Sequence, residues 1–210
     1  MNTIEGAKSS RPVAASTEAV LHARERQLTV EEYHAMGEAD ILSADDRVEL
    51  VDGHLISMLP IGPAHSHSVN DLADRFNRRL YALDPPPARV SVQNPVQLGE
   101  YGEPQPDLAL YAPDVPRDRH IQSDDIFLIV EVADTSIQYD RDVKSQQYGE
   151  AGIPEYWVVD LANRTIDVFR RPEAKGYAER VRHRPDDELT VSTLPNLDPL
   201  PVAAILGEAE

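Results

Sequence analysis

Three residues of this sequence have the types and surroundings that phosphoryl chemistry needs: Asp107, Glu131 and Lys144. Asp107 follows a proline and opens the apolar run LALY. Glu131 lies inside IFLIVEVA, residues 126–133. A lone carboxylate in such a run is costly unless it is paired, protonated or bound to a cation. One reading of Glu131 is a satisfied structural ion pair. The other is a metal ligand or an acid/base group in a cleft at the edge of a sheet. Two hard oxygen donors brought together suit Mg²⁺ or Mn²⁺. Such an ion stabilises charge on a phosphoryl oxygen, and the ammonium of Lys144 adds to that effect if it is near.

The elements that must position these groups are legible around them. Residues 126–133 are long enough for a strand and too short for a typical helix. Both alternating faces are apolar: Phe127, Ile129 and Ala133 accompany Glu131, and Ile126, Leu128, Val130 and Val132 face the other way. A strand of this kind is covered on both sides. Residues 136–150 read as a helix ended by Ala151-Gly152-Ile153-Pro154. On it Asp140, Lys144 and Tyr148 are four apart and share one face. A solvated stripe with a weak Asp–Lys pair is the competing reading. Residues 155–160, EYWVVD, form a second buried strand, so 126–160 reads as a βαβ crossover. An antiparallel pair of 106–111 with 126–133 would bring Asp107 and Glu131 to one end of the sheet.

The rest of the chain supplies support. Residues 1–27 show no stable period and read as a flexible arm, helical at most near 17–26. Thr29-Val30-Glu31-Glu32 is a capping-box pattern that opens a short helix. In RVELVDGHLISM, residues 47–58, Asp52-Gly53 is a hairpin turn. Its Glu49 is as readily an exposed strand residue as a site residue. Residues 63–83 form the clearest helix, with Val69, Leu72, Phe76, Leu80 and Leu83 on one face. His65 and His67 stand at its start and point in different directions, which favours helix capping or a single supporting role over a paired metal site. Residues 88–98 read as an edge or bulged strand interrupted by Pro95. Segments 164–171, 177–184 and 188–191 read as three antiparallel strands. Seven basic residues lie within 164–184, offset by Asp167, Glu173 and Glu179. A solvated outer face is favoured there over a phosphate-contacting one.

The 210 residues suit one domain with a sizeable core, 28–206, followed by a short tail, 207–210. There is no cysteine, so disulfides and thiolate–zinc sites are excluded. No apolar run reaches membrane-spanning length, no signal-peptide pattern opens the chain, and a cytoplasmic location is the default expectation. A net charge of −17 argues against nonspecific coating of nucleic acid, yet is compatible with a nuclease whose bound ion reverses the local sign. No glycine-rich phosphate loop, nucleophile elbow or HExxH motif is present.

Four segments carry a resemblance: VELVDGHLISM, PAHSHSVNDLADRFNRRL, PQPDLALYAP and, most specific, IVEVADTSIQYDRDVKSQQYGEAGIPEYWVVD. In this order they resemble the Uma-type family of putative restriction endonucleases, within the PD-(D/E)xK nuclease superfamily, over about residues 28–206. The resemblance implies an α/β (α+β) fold with a restriction-endonuclease-like core, a mixed central sheet flanked by helices. It implies Asp107 as the first acid and Glu131 as the second. The superfamily's usual lysine position, two residues after the second acid, is Ala133 here, and Lys144 on the following helix matches the lysine that replaces it. The expected metal ligands are Asp107, Glu131 and the backbone carbonyl of Val132, holding Mg²⁺ or Mn²⁺. Glu49, His65, Asp140 and Tyr148 are expected around them. The expected activity is metal-dependent hydrolysis of DNA phosphodiesters. The alternatives are a nuclease-fold binding module without cleavage activity and a hydrolase of small phosphoesters. A homodimer is expected from the apolar segment 197–206 and the edge strand at 88–98.

Overall fold

The computed structural model describes residues 26–43, 45–58, 60–134 and 136–207. The arm expected over 1–27 and the tail expected over 207–210 fall almost wholly outside these residues. Helix α1 (Val30–Glu38) is capped as its sequence requires: the Thr29 hydroxyl accepts from the Glu32 N–H, and the Glu32 carboxylate accepts from the Thr29 N–H, each at 3.1 Å. Strands β1 (Val48–Val51) and β2 (His54–Ser57) form the expected hairpin, with Val51 opposite His54. Asp52 and Gly53 both adopt positive φ, 48° and 74°, as a two-residue hairpin turn of this type demands.

Helix α2 (Pro63–Leu80) buries the expected stripe Val69, Leu72, Phe76 and Leu80. It ends one turn earlier than its periodicity suggests, because Tyr81 caps it and Leu83 packs against the core from the following loop. Next come β3 (Arg89–Val92), β4 (Val96–Gln97), β5 (Leu108–Tyr111), β6 (Ile121–Gln122) and β7 (Ile126–Ala133). The single strand expected over 88–98 is therefore two: Pro95 cannot donate to a ladder, and β4 leaves the main sheet to pair with β6. The helix after β7 has three parts: α3 (Ile137–Tyr139), a π-helical turn (Asp140–Lys144) and α4 (Ser145–Glu150). Strands β8 (Glu155–Asp160), β9 (Thr165–Glu173), β10 (Gly176–His183), β11 (Glu188–Leu189) and β12 (Leu200–Pro201) follow, and α5 (Val202–Leu206) closes the described chain.

The central sheet has six strands in the order β10-β9-β8-β7-β5-β3. Only β7 and β8 are parallel, joined by the helical crossover, and every other pair is antiparallel. Helices α2 and α5 cover one face with Leu108, Leu128, Val130, Trp157 and Val159. The other face packs Tyr148 and Ile153 against Ile129, Tyr156, Val158 and Phe169. The result is a mixed α/β fold in three layers. The expected faces of β7 hold from Leu128 onward. They exchange at its start, where the register shifts at Leu110/Tyr111 and leaves Phe127 without an opposite residue. Ile126 accordingly joins Ile129, while Phe127 packs on the α2 side.

The third expected antiparallel strand is present but short, 188–189, and its partner is β12. One further expectation is corrected. The segment 197–206 is not a free apolar surface: Leu197, Leu200, Val202, Ile205 and Leu206 lie in the protein's own core beside α2. Tertiary packing consumed the surface on which half of the dimer expectation rested. The other half, the edge strand, is present, because β3 ends the sheet. Among the described residues no helix is long and apolar enough to cross a membrane.

Candidate active site

The antiparallel pairing of β5 with β7 sets Leu108 opposite Val130, so the residue before β5 meets the end of β7. There the Asp107 N–H donates to Glu131 Oε2 at 3.3 Å, and the Val132 N–H donates to Asp107 Oδ2 at 2.8 Å. The two acids therefore stand side by side at the end of neighbouring strands. The crossover helix supplies the cation: Lys144 Nζ lies 2.9 Å from Glu131 Oε1, and the Tyr148 hydroxyl donates to the same oxygen at 2.8 Å. Asp140 is buried one turn before Lys144 and accepts from the Ser136 hydroxyl at 2.6 Å. The three residues four apart thus share a buried face turned to Glu131. They are not a solvated stripe.

The π turn lets them do so. The Ser145 N–H reaches back five residues to the Asp140 carbonyl, and the Tyr156 hydroxyl donates to that same carbonyl at 3.1 Å. A π turn is a local widening of a helix that recurs at functional sites. Helix α2 brings His65 from its first turn, with Nε2 2.8 Å from Asp107 Oδ1, while His67 on the same helix is exposed. The hairpin brings Glu49, which is buried although its sequence left an exposed position open. Its Oε1 lies 3.6 Å from Lys144 Nζ, and its Oε2 accepts from the Gln105 N–H at 3.1 Å.

Glu49, His65, Asp107, Glu131, Asp140 and Lys144 line a cavity of about 320 Å³, together with Met58, Ile61 and Gly62. Its electrostatics follow from burial. Glu131 is pushed up to about 8, first by desolvation, which Lys144 opposes. Asp140 is raised for the same reason. Desolvation works against the Lys144 ammonium, but Glu131, Glu49 and Asp140 outweigh it and its pKa rises. Asp107 is also penalised by burial, yet the hydrogen bond and charge of His65 leave it below the usual carboxylate value. His65 is raised in turn, chiefly by Asp107. Four buried carboxylates therefore face one lysine and one histidine, an excess of negative charge that a cation would relieve.

Comparison with two other buried acids sharpens this. Asp167 accepts from Arg141, Arg180 and Arg182, and its pKa falls to about 2. Glu155 is satisfied by Trp157, Arg170 and Ser192. Both are structural ion pairs, and they absorb three of the arginines of 164–184 that had the alternative of a phosphate face. Among the described residues Glu131 has no arginine partner.

Several lining residues were not singled out from the sequence. Gln93 donates to Asp107 Oδ1 at 3.3 Å from a backbone with φ of 50°, uncommon for a residue other than glycine. Tyr139 presents to the cavity a hydroxyl that has no hydrogen-bond partner among the described residues, and burial raises its pKa to about 12. Arg47 is exposed at the cavity and makes no ion pair among the described residues. Its place just before the hairpin, and that of Gln93 just before a proline, carry no local signal of a site.

The sequence profile of the Uma2 family, described as putative restriction endonucleases, matches residues 30–203. The chain belongs to the Uma2 family. No curated protein matches this Uma2 chain. Among solved structures it is similar to a putative nuclease from Anabaena variabilis, at 15% identity and a TM-score of 0.67, over 85% of this chain and 97% of the other. That likeness shows the fold. A type IIG restriction endonuclease, BpuSI, matches at 19% identity and a TM-score of 0.37 over 60% of this chain and 14% of its own, and no argument rests on it. Family membership supports nuclease function in general.

Proposed function

We propose that this Uma2 protein is an endonuclease of the PD-(D/E)xK type that hydrolyses DNA phosphodiesters with a divalent ion. The single observation that carries the reading is the junction of Asp107, Glu131 and Lys144 at one end of the β5/β7 pair, on the floor of a cavity. The donor set fits Mg²⁺ or Mn²⁺: two hard carboxylates, with excess buried negative charge around them. Asp107, Glu131 and the backbone carbonyl of Val132 would hold the ion, which when bound supplies Lewis acidity toward a phosphoryl oxygen.

The chain's own groups do the rest. Hydrolysis adds a water oxygen to phosphorus, breaks one P–O ester bond and develops negative charge on the non-bridging oxygens. The Lys144 ammonium, fixed by Glu131 and Glu49, orients the water and offsets that charge. The Tyr148 hydroxyl and Lys144 fix the orientation of Glu131, and His65 with Gln93 fixes that of Asp107. Arg47 and the Tyr139 hydroxyl, which has no hydrogen-bond partner among the described residues, are placed to contact the phosphate backbone. The open sheet edge at β3 supports a homodimer built by edge pairing or packing there.

The test is Mg²⁺- or Mn²⁺-dependent nicking of supercoiled and single-stranded DNA. Asp107→Ala and Glu131→Ala should each abolish cleavage while keeping the fold. Lys144→Ala should slow it on the order of a hundredfold, as removal of a preorganised charge stabiliser does. A second reading, a nuclease-fold binding module without cleavage, is favoured by the hydrogen bonds that already occupy both acids and by the net charge of −17. Wild type no more active than Glu131→Ala on any DNA or RNA would establish that second reading.

A further inference from the structure

A second cluster of metal-ligating side chains lies outside this site. His34 of α1, Glu103 of the loop between β4 and β5, and His120 just before β6 each offer a ligand atom, and these atoms all lie within 4.8 Å of one another. Among the described residues this is the one such group of three. Its carboxylate is 4% exposed, whereas both imidazoles are exposed. His34 Nε2 stands 2.9 and 3.0 Å from the two oxygens of Glu103, and the His34 and His120 rings are 5.6 Å apart. No arginine or lysine pairs with Glu103 among the described residues. The nearest candidate by sequence, Arg119 beside His120, is turned to Asp125 at 2.6 and 2.9 Å. A buried carboxylate is thus met by one imidazole at hydrogen-bond distance and has a second within 4.8 Å, from segments 69 and 17 residues away in the chain, and both imidazoles are exposed to solvent.

We propose that His34, Glu103 and His120 form a Zn²⁺ site. The donor set decides the metal class. Two imidazoles and one carboxylate suit Zn²⁺ and its transition-metal neighbours, unlike the all-oxygen set around Asp107, which suits Mg²⁺ or Mn²⁺. With three protein donors, solvent completes the coordination, and the exposure of both imidazoles provides the entry path. The ion acts as a clamp. Helix α1 is already tied to the hairpin by the Tyr33 hydroxyl on the Val48 carbonyl at 3.0 Å and to the 99–103 turn by Val30 N–H on the Glu100 carbonyl at 2.8 Å. Glu103 bridges Leu50, the neighbour of Glu49, through its backbone at 2.8 Å. Zn²⁺ would therefore fasten α1 and the loop before β6 to the strand that carries Glu49 into the cavity. The proposal does not depend on cleavage and stands whether or not the protein cuts DNA.

The experiment is Zn²⁺ titration of the whole chain against a chromophoric chelator, with the melting temperature followed in parallel. Wild type should bind one more equivalent of Zn²⁺ tightly than the His34→Ala/His120→Ala variant does. That variant should keep the wild-type far-UV circular dichroism, because both imidazoles are exposed. Glu103→Gln should weaken the same site on the order of a hundredfold or more. Zn²⁺ should raise the melting temperature of wild type and leave that of the double variant unmoved. Equal stoichiometry and affinity in wild type and double variant would overturn the site, as would wild type that binds no Zn²⁺. If the variants fail to fold, crystals of wild type soaked in Zn²⁺ decide: an anomalous peak among His34, Glu103 and His120 supports the clamp, and its absence there rejects it.

Discussion

At the residue scale, the same type of side chain behaves in opposite ways according to its partners. Glu131 and Asp167 are both buried, but one is held high and the other is pulled to about 2 by three arginines. The consequence for stability can be signed. The folded-state pKa of Asp167 is depressed, so its contribution is present above the unfolded value and lost as pH falls through about 2. Its magnitude is on the order of 1–2 kcal/mol, because Arg180 and Arg182 are partly exposed and screened. Urea denaturation of wild type and Asp167→Asn should differ by that amount near pH ~6, and the difference should shrink between about pH 4 and pH 2. A difference that does not change with pH would show that the carboxylate's charge is not what stabilises the fold. Arg47, by contrast, makes no ion pair among the described residues and is exposed at the cavity. Arg47→Ala should weaken DNA binding and reduce its salt dependence by about one ion, with metal binding unchanged, as expected for loss of one phosphate contact.

At the element scale, the crossover helix is both scaffold and wall of the cavity. Its π turn aims Asp140 and Lys144 at Glu131, and α4 then approaches β10 very closely. A Cβ added to Gly149 would fall 2.1 to 2.5 Å from backbone atoms of Gly176. No side-chain rotation relieves a clash with backbone, so α4 would have to move. Gly149→Ala should therefore destabilise the protein by about 2–3 kcal/mol despite the better helix propensity of alanine. It should also lower nuclease activity, because Lys144 and Tyr148 sit on the displaced helix. Chemical denaturation and the nicking assay measure the two effects. A stability within about 0.5 kcal/mol of wild type would mean that the helix–strand contact yields easily.

At the scale of the whole molecule, the arginines of β9 and β10 neutralise internal acids, which leaves the net charge of −17 to act outward. Such a surface repels DNA and attracts divalent cations. Without Mg²⁺ or Mn²⁺, filter or mobility-shift assays should therefore show only weak DNA binding at physiological salt. Adding the ion should strengthen binding by at least about tenfold, since it inverts the sign of the cavity. Tight metal-free binding would overturn this electrostatic account. The proposed dimer is left with the edge strand β3 alone, because 197–206 is core. Light scattering over a wide concentration range should show a dimer that dissociates when Val90 or Val92 of β3 is changed to proline.

What the sequence determined by itself is local and periodic. Alternating apolar residues and an Asp-Gly pair specify β7, β8 and the hairpin, and four-residue spacing puts Asp140, Lys144 and Tyr148 on one face. The proline before Asp107 and the acid inside β7 mark the two carboxylates, because a polar group in an apolar run must be satisfied. Tertiary structure decided which of these faces meet. Glu49 is buried only because the hairpin folds onto Gln105 and Lys144, and His65 rather than His67 is used because α2 lies on the sheet at one rotation. Tyr139, Gln93 and Arg47 enter the cavity from segments whose own sequences carry no sign of it. The apolar run 197–206 had equal reason, locally, to be interface or core, and the groove beside α2 took it. Spacing along the chain encodes the direction of a side chain within its element, whereas its partner is set by long-range packing that no single segment contains.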